Sequence, residues 1–484
     1  MTITTQQASR AVRAAAATIA LGYAMSALCC VTVSLGCNEI LGLDERYPFP
    51  AEAGPPGGGC TSPADCSSGP AHTSATCNDG QCGLECEADY TDCDGDLGTN
   101  GCEAHLDSDP LHCGACNHAC FVPQCVLKVC NEPVDVSAGW YHTCAVLTDR
   151  SVWCWGRNGN GELGDGTNSL RETPVQILPP GSATKVVAGG RTDGDDQPHT
   201  CALMTSSTVQ CWGANKFGQI GIGSTIDQNT PQPVPLESVI DIAVGGGHTC
   251  ASKSGSIHCW GSNSFGQIGN DMEGVDQLLP TGSYVVAGVE HFALGLEHSC
   301  SAPSLRCWGK GHDLASQNES TPAPVADFPG TIDEIALGDR HACARSGADL
   351  YCWGSNYAGE LGNGDGGFQP TPTPQLVLLE SIKSVDLGLD QWSGAIAGAN
   401  NEVFMWGREK AERFGDGYGD GTPVLSNIPI PIALTDVSRL SLGLSHACAL
   451  KTNGQLLCWG DDAFGQIGDG PDNTDKAVPT PVRW

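Results

Sequence analysis

An all-β fold assembled from repeated small sheets is what this 484-residue sequence predicts. Three observations carry that expectation. A Trp-Gly pair recurs seven times, at Trp155, Trp212, Trp260, Trp308, Trp353, Trp406 and Trp459, at intervals of 45 to 57 residues. Glycine and proline make up about a fifth of the chain, which suits turn-rich β structure better than a helical bundle. Short β-branched runs separated by turn signals keep the same period as the tryptophans.

Each unit has the same parts. A short apolar run ends in Gly, as in IDIAVGGG before His248. His-x-Cys follows, as at His142-Thr143-Cys144 and His248-Thr249-Cys250. A polar turn leads to a second run ending in Cys-Trp-Gly. Next comes a Gly-Gln/Glu-Leu/Ile-Gly turn, as at 161–164, 218–221, 266–269, 359–362 and 465–468. A Pro-rich segment then connects to the next unit. Such a unit makes a four-stranded blade, and seven blades close into a propeller, removing the unpaired edges of an open sheet.

The cysteines test this layout. Beyond residue 143 they form six local pairs: Cys144 with Cys154, Cys201 with Cys211, Cys250 with Cys259, Cys300 with Cys307, Cys343 with Cys352, and Cys448 with Cys458. A turn lies midway in each pair, so the partners face each other across a hairpin, near disulfide range. Six cross-strand disulfides are expected. In blade six Ala395 and Met405 are assigned to those places.

The HxCxL…CWGxNxxGQLGxG pattern resembles the regulator of chromosome condensation repeat family, over about 133–484. That resemblance implies a seven-bladed propeller, and its namesake activity implies guanine-nucleotide exchange on a small GTPase. Two blades depart from the pattern. Blade four has Lys310-Gly311-His312 where Asn and the Gly turn are expected, and blade six has Trp392-Ser393 for His-x-Cys and Phe414-Gly415-Asp416 in the Gly turn.

Before the propeller, three segments are expected: a signal peptide over 1–36, a Pro/Gly-rich tether over 37–59 and a Cys-rich module over 60–132. Arg10 and Arg13 precede an apolar run from Ala14 to Gly36, the layout of a secretory signal. Ser34-Leu35-Gly36-Cys37 resembles the bacterial lipobox, with Ser where Leu is usual, and marks Cys37 for lipidation; a soluble secreted chain and an uncleaved anchor are the other readings. The stretch from Cys60 to Cys130 holds 12 of the 27 cysteines in 71 residues, too little apolar sequence for a core, so cross-linking is expected. Over roughly 82–120 it resembles the Cys-rich modules of surface proteins from myxobacteria-like organisms. Cys113, Cys116 and Cys120 with His112 and His118 are an alternative zinc set. Asp92, Asp94, Asp96 and Glu103 occupy positions 1, 3, 5 and 12 of an EF-type calcium loop, although position 6 is Leu97 and not Gly.

The net charge of −32 argues against nucleic-acid binding and against docking on anionic lipid through a basic patch. Twenty-seven cysteines point away from a reducing cytosol. No Walker loop, zinc-protease helix or Gly-x-Ser-x-Gly elbow occurs, and Gly159 and Gly161 read as turn glycines. His142, His199, His248, His298, His341 and His446 recur once per blade and read as one repeated structural hydrogen bond. The repeated tryptophans read as core between blades. In blade two, residues 191–198 form an acidic insertion suited to contact. Together these indicate a non-catalytic binding or scaffold protein, monomeric, needing no cofactor, lipid-anchored at the cell envelope or secreted, with a protein or glycan partner. The alternatives are the exchange factor and a polysaccharide-acting enzyme.

Overall fold

The computed structural model describes residues 59–190, 197–282, 288–310, 318–410, 412–417 and 425–484. The signal segment, Cys37, the tether short of Gly59 and residues 191–196 of the insertion lie outside them. Seven four-stranded antiparallel sheets follow one another along the chain. They span 133–178, 183–234, 239–282, 291–324, 334–376, 382–431 and 437–481, and are blades one to seven. Consecutive strands pair within every blade. The protein is an all-β seven-bladed propeller behind a disulfide-rich region.

The first strand of each blade is innermost. Pro133–Ala138, Ala183–Gly189, Val239–Val244, His291–Leu294, Glu334–Leu337, Ile382–Leu387 and Val437–Leu442 surround a central channel of about 360 Å³. The second strands are buried along nearly their whole length, and His142–Leu147 at every position. A blade is covered on both faces by its neighbours, so polar alternation disappears there, as in any sheet packed on both sides. The Pro-rich segments are the outer strands, not connectors: Gln228–Val234 and Thr371–Leu376 pair with their third strands and keep a half-exposed pattern. Proline is tolerated because an outermost strand has one side without a ladder to supply.

Blades seven and one meet without exchanging a strand. Ala138 N donates to Ser441 Oγ (2.9 Å) and Leu444 N to Gly139 O (3.1 Å). Trp484 adds edge contacts to Trp153 and Trp155, with ring centroids 6.0 and 5.8 Å away.

All six hairpin cysteine pairs are bonded, each between directly opposed residues with Cα atoms 4.1 Å apart. Blade six requires a correction. Met405 faces Gly394, while Ala395 faces Phe404. Counting from Trp392, which stands for the His, places Gly394 at the Cys position. A Cβ on Gly394 would come 2.9 Å from Met405 Sδ, so the thioether fills the space of the missing disulfide and requires glycine opposite.

The N-terminal module is three two-stranded ribbons held by six disulfides: 60–77, 66–82, 86–102, 93–116, 113–125 and 120–130. Its buried apolar groups are mainly half-cystines, with Ala104 and Val122. It joins the propeller where Thr148 N donates to Glu132 O (2.8 Å) and Asp149 N to Asn131 Oδ1 (3.0 Å).

Candidate functional site

The recurring motif is a seam between blades. In the seam from seven to one, Gln466 O accepts from both Trp155 Nε1 (3.0 Å) and Thr143 Oγ1 (2.9 Å). The same double acceptance occurs at Gln219 O (Trp260, Thr249), Gln267 O (Trp308, Ser299) and Glu360 O (Trp406, Ser393). Each of these hydroxyls also meets the His of the preceding blade: His446 with Thr143, His199 with Thr249, His248 with Ser299 and His341 with Ser393, at 2.8 to 2.9 Å. His142 meets Thr200 in the same way (2.9 Å), and Thr200 Oγ1 donates to Glu162 O. Burial holds the imidazoles of His142, His341 and His446 down at about 3 and that of His199 at about 4, so they are neutral. The seven tryptophans are fully buried. His and Trp therefore build the ring and leave its chemistry to the loops.

Strand direction sorts those loops. The connections from first to second strand and from third to outer strand share one face; the other connections and the Cys-rich module share the opposite face. On the first face, blades four and six depart from the repeat, and charged residues of blades four, five and six converge. Lys310, the first residue of blade four's altered turn, pairs with Glu297 (2.5 Å) and lies 4.0 Å over the Phe265 ring. Arg413, standing where other blades have Gln or Glu, is buried, pairs with Asp390 (2.9 Å) and faces Trp392, the His replacement. Burial pushes the Asp339 carboxyl up to about 6; Arg340 opposes this, while Asp390 and Glu297 reinforce it. Arg340 and Tyr357 stand exposed beside these groups on blade five, where Ser355 N donates to Arg340 O. This mixed-charge patch with an exposed Arg and Tyr has the composition of a protein-docking surface. Sequence reading flagged the departures in blades four and six but not their convergence, which needs the ring to be closed.

The other predicted positions fall elsewhere. In the module, one oxygen each from Asp92, Asp94 and Glu103 lies within 4.8 Å of the others, but Asp96 stands outside that group. The gathered carboxylates already accept amides: Asp92 from Gly95 N, Asp94 from Asp96 N and Asn100 Nδ2, Glu103 from Cys93 N. The zinc alternative is overturned, because Cys113, Cys116 and Cys120 are each in a disulfide. His118 Nδ1 meets Cys113 O instead (2.6 Å). Of the blade-two insertion, the described Gln197 is buried and its Oε1 accepts from Gln219 Nε2 (2.8 Å).

Fold and surface together define a seven-bladed propeller with a mixed-charge patch on the face opposite a disulfide-rich module. Family models of the regulator of chromosome condensation (RCC1) repeat match residues 134–162, 239–267 and 437–466, and a second such model matches 149–192 and 208–252. The chain is 30% identical to the ultraviolet-B receptor UVR8 of Arabidopsis thaliana over 368 residues, covering 72% of this chain and 69% of that protein. The chain belongs to the RCC1 repeat family. It is also 28% identical over 250 residues to the probable E3 ubiquitin-protein ligase HERC4 of Homo sapiens, covering 49% of this chain and only 19% of that protein. The crystal structure of human WBSCR16 shares the fold, with a TM-score of 0.59, 21% identity, and coverage of 69% of this chain and 94% of that one.

Proposed function

We propose that this chain is a non-catalytic binding scaffold that works outside the cytosol and recognises a partner protein through the face formed by blades four to six. The observation that carries the reading is the convergence of charged groups from three blades on one patch, with Lys310, Asp339, Asp390 and Arg413 grouped beside the exposed Arg340 and Tyr357. The net charge of −32 favours a partner with a basic complement by steering its approach. The twelve disulfides support an oxidising compartment, at the envelope or beyond, and weigh against nucleotide exchange on a cytosolic GTPase. Anchoring through Cys37 would leave the docking face pointing away from the module that joins the opposite side.

The test is cross-linking in envelope extract, read by mass spectrometry, with three proteins. One is wild type. One carries Arg340→Ala, Tyr357→Ala and Lys310→Ala. One carries Asp436→Ala on the opposite face, where that residue is exposed. A partner retained by wild type and Asp436→Ala and lost from the triple variant supports the reading. Identical partner sets for all three overturn it.

A further inference from the structure

One position in each outer loop behaves alike in blades one, two and three. Asn158 Nδ2 donates to Asp165 Oδ1 (3.0 Å) and to the carbonyls of Thr167 (3.1 Å) and Ser169 (3.0 Å). Asn215 Nδ2 donates to the carbonyls of Ser224 (2.8 Å) and Ile226 (3.1 Å). Asn263 Nδ2 donates to Asn270 Oδ1 (3.2 Å) and Met272 O (2.6 Å). The other half of each amide, Oδ1, accepts the backbone N–H of Leu163, Ile220 or Ile268. The side chain is a two-ended clip whose donor end reaches into a cage of acceptor oxygens.

Blade seven keeps the acceptor half: Ile467 N donates to Asp462 Oδ1 at 2.9 Å. The residue is now aspartate, so the other end carries an oxygen where blades one to three carry N–H. Seven residues on, where blade three has Asn270, stands Asp469. The cage therefore presents Asp462 Oδ2 to Asp469 Oδ1, and the repeat adds the carbonyls of Pro471 and Asn473. Asp462 is fully buried, and neither Asp462 Oδ2 nor the buried Asp469 Oδ1 has a hydrogen-bond partner among the described residues. The nearby Lys476 does not meet this need. Its Nζ lies on the other oxygen of Asp469 (3.0 Å) and on Asp472 (3.4 Å).

Two buried carboxylate oxygens without a donor between them need either a cation or a shared proton. We propose that blade seven holds a hard cation of the calcium class between Asp462 and Asp469, with the Pro471 and Asn473 carbonyls and water completing its oxygen shell. This site is separate from the acidic loop of the Cys-rich module. In blades one to three asparagine supplies the donor to these loop oxygens, which makes Asp462→Asn the informative variant.

The experiment uses the full chain, stripped with chelator and checked for metal content, and follows its thermal unfolding with calcium chloride alone. Wild type is expected to bind one calcium per chain, with a midpoint rise of about 4 °C at a hundredfold excess over Kd. Asp462→Asn is expected to unfold at or above the wild-type apo temperature and to lose the calcium response; Asp94→Asn, in the module loop, is expected to keep it. Three results would overturn the proposal: no calcium response in stripped wild type, a response that survives in Asp462→Asn, or a response lost in Asp94→Asn alone. A wild type that ignores calcium but is stabilised relative to Asp462→Asn on acidification would show that the two carboxylates share a proton instead.

Discussion

His446 donates from Nε2 to Thr143 Oγ1 at 2.8 Å, across the seam where the last blade meets the first. The direction follows from the hydroxyl's single proton, which goes to Gln466 O. With no strand exchanged at this seam, a side-chain relay carries part of the closure.

Thr143→Val keeps the shape and removes the relay. It strands a buried imidazole N–H, and the loss of such a partner costs about 1–3 kcal/mol. Thr143→Ser is expected to retain wild-type stability within about 0.5 kcal/mol. Urea unfolding of the two variants beside wild type checks the pair.

Gly468→Ala is expected to be among the most damaging single substitutions in the ring. Gly468 sits at φ +80° with a Cβ position 2.6 Å from Trp155 Nε1, so alanine meets both a left-handed backbone and an indole that cannot withdraw. The overpacking and backbone contributions together come to about 3 kcal/mol. Gly181→Ala is the control: its φ is +82°, nothing lies within 4 Å, and it is expected to cost about 1–2 kcal/mol from the backbone alone.

Gly394→Cys with Met405→Cys should install a seventh hairpin disulfide, because these residues are opposed as the six natural pairs are. The double variant is expected to gain up to about 3 kcal/mol when oxidised and to lose that gain on reduction. Gly394→Cys alone should destabilise, since its Cβ would crowd Met405 Sδ at 2.9 Å. Placing the second cysteine at Ala395 should give no bond to position 405.

Much of the fold was legible in the sequence because most seams use the same groups: a buried Trp, a Gly that lets it approach, a His and a small hydroxyl. Those requirements print a period of 45 to 57 residues on the chain. Cysteine pairing was legible for a related reason, since equal spacing about a turn means opposition in a hairpin. The Pro-rich outer strands read as connectors because their alternation is weak and proline usually marks a strand's end. Gly394 was missed by counting from the wrong end of a motif that had lost both His and Cys. The mixed-charge patch was not legible: Lys310, Asp339 and Arg413 belong to three blades, and only closure of the ring brings them together.

The buried histidines make the ring acid-sensitive. His142, His199, His341 and His446 have folded pKa values of about 3 to 4 against 6.5 unfolded, so below pH 6.5 the unfolded chain binds more protons and stability falls. Asp386, lining the channel, acts in the opposite sense. Burial raises it to about 7 from 3.8, against the Leu442 and Leu387 amides, so the folded state binds the extra proton and stability rises as pH falls through 7. Asp386→Asn removes that offset. From pH 7 to pH 5 it is expected to lose more stability than wild type, read as the shift in urea midpoint. An equal or smaller loss would contradict this assignment.

The most direct test of the account is mass spectrometry of the intact, unreduced protein after its free thiols have been alkylated. The account predicts that none of the 24 cysteines from Cys60 onward is alkylated, with peptide mapping giving the twelve pairs described above. It also predicts, as part of the proposed envelope location, a lipid-bearing N-terminus at Cys37. An intact Met1 end with many alkylated thiols would contradict it, placing the ring in a reducing compartment and returning nucleotide exchange to the front.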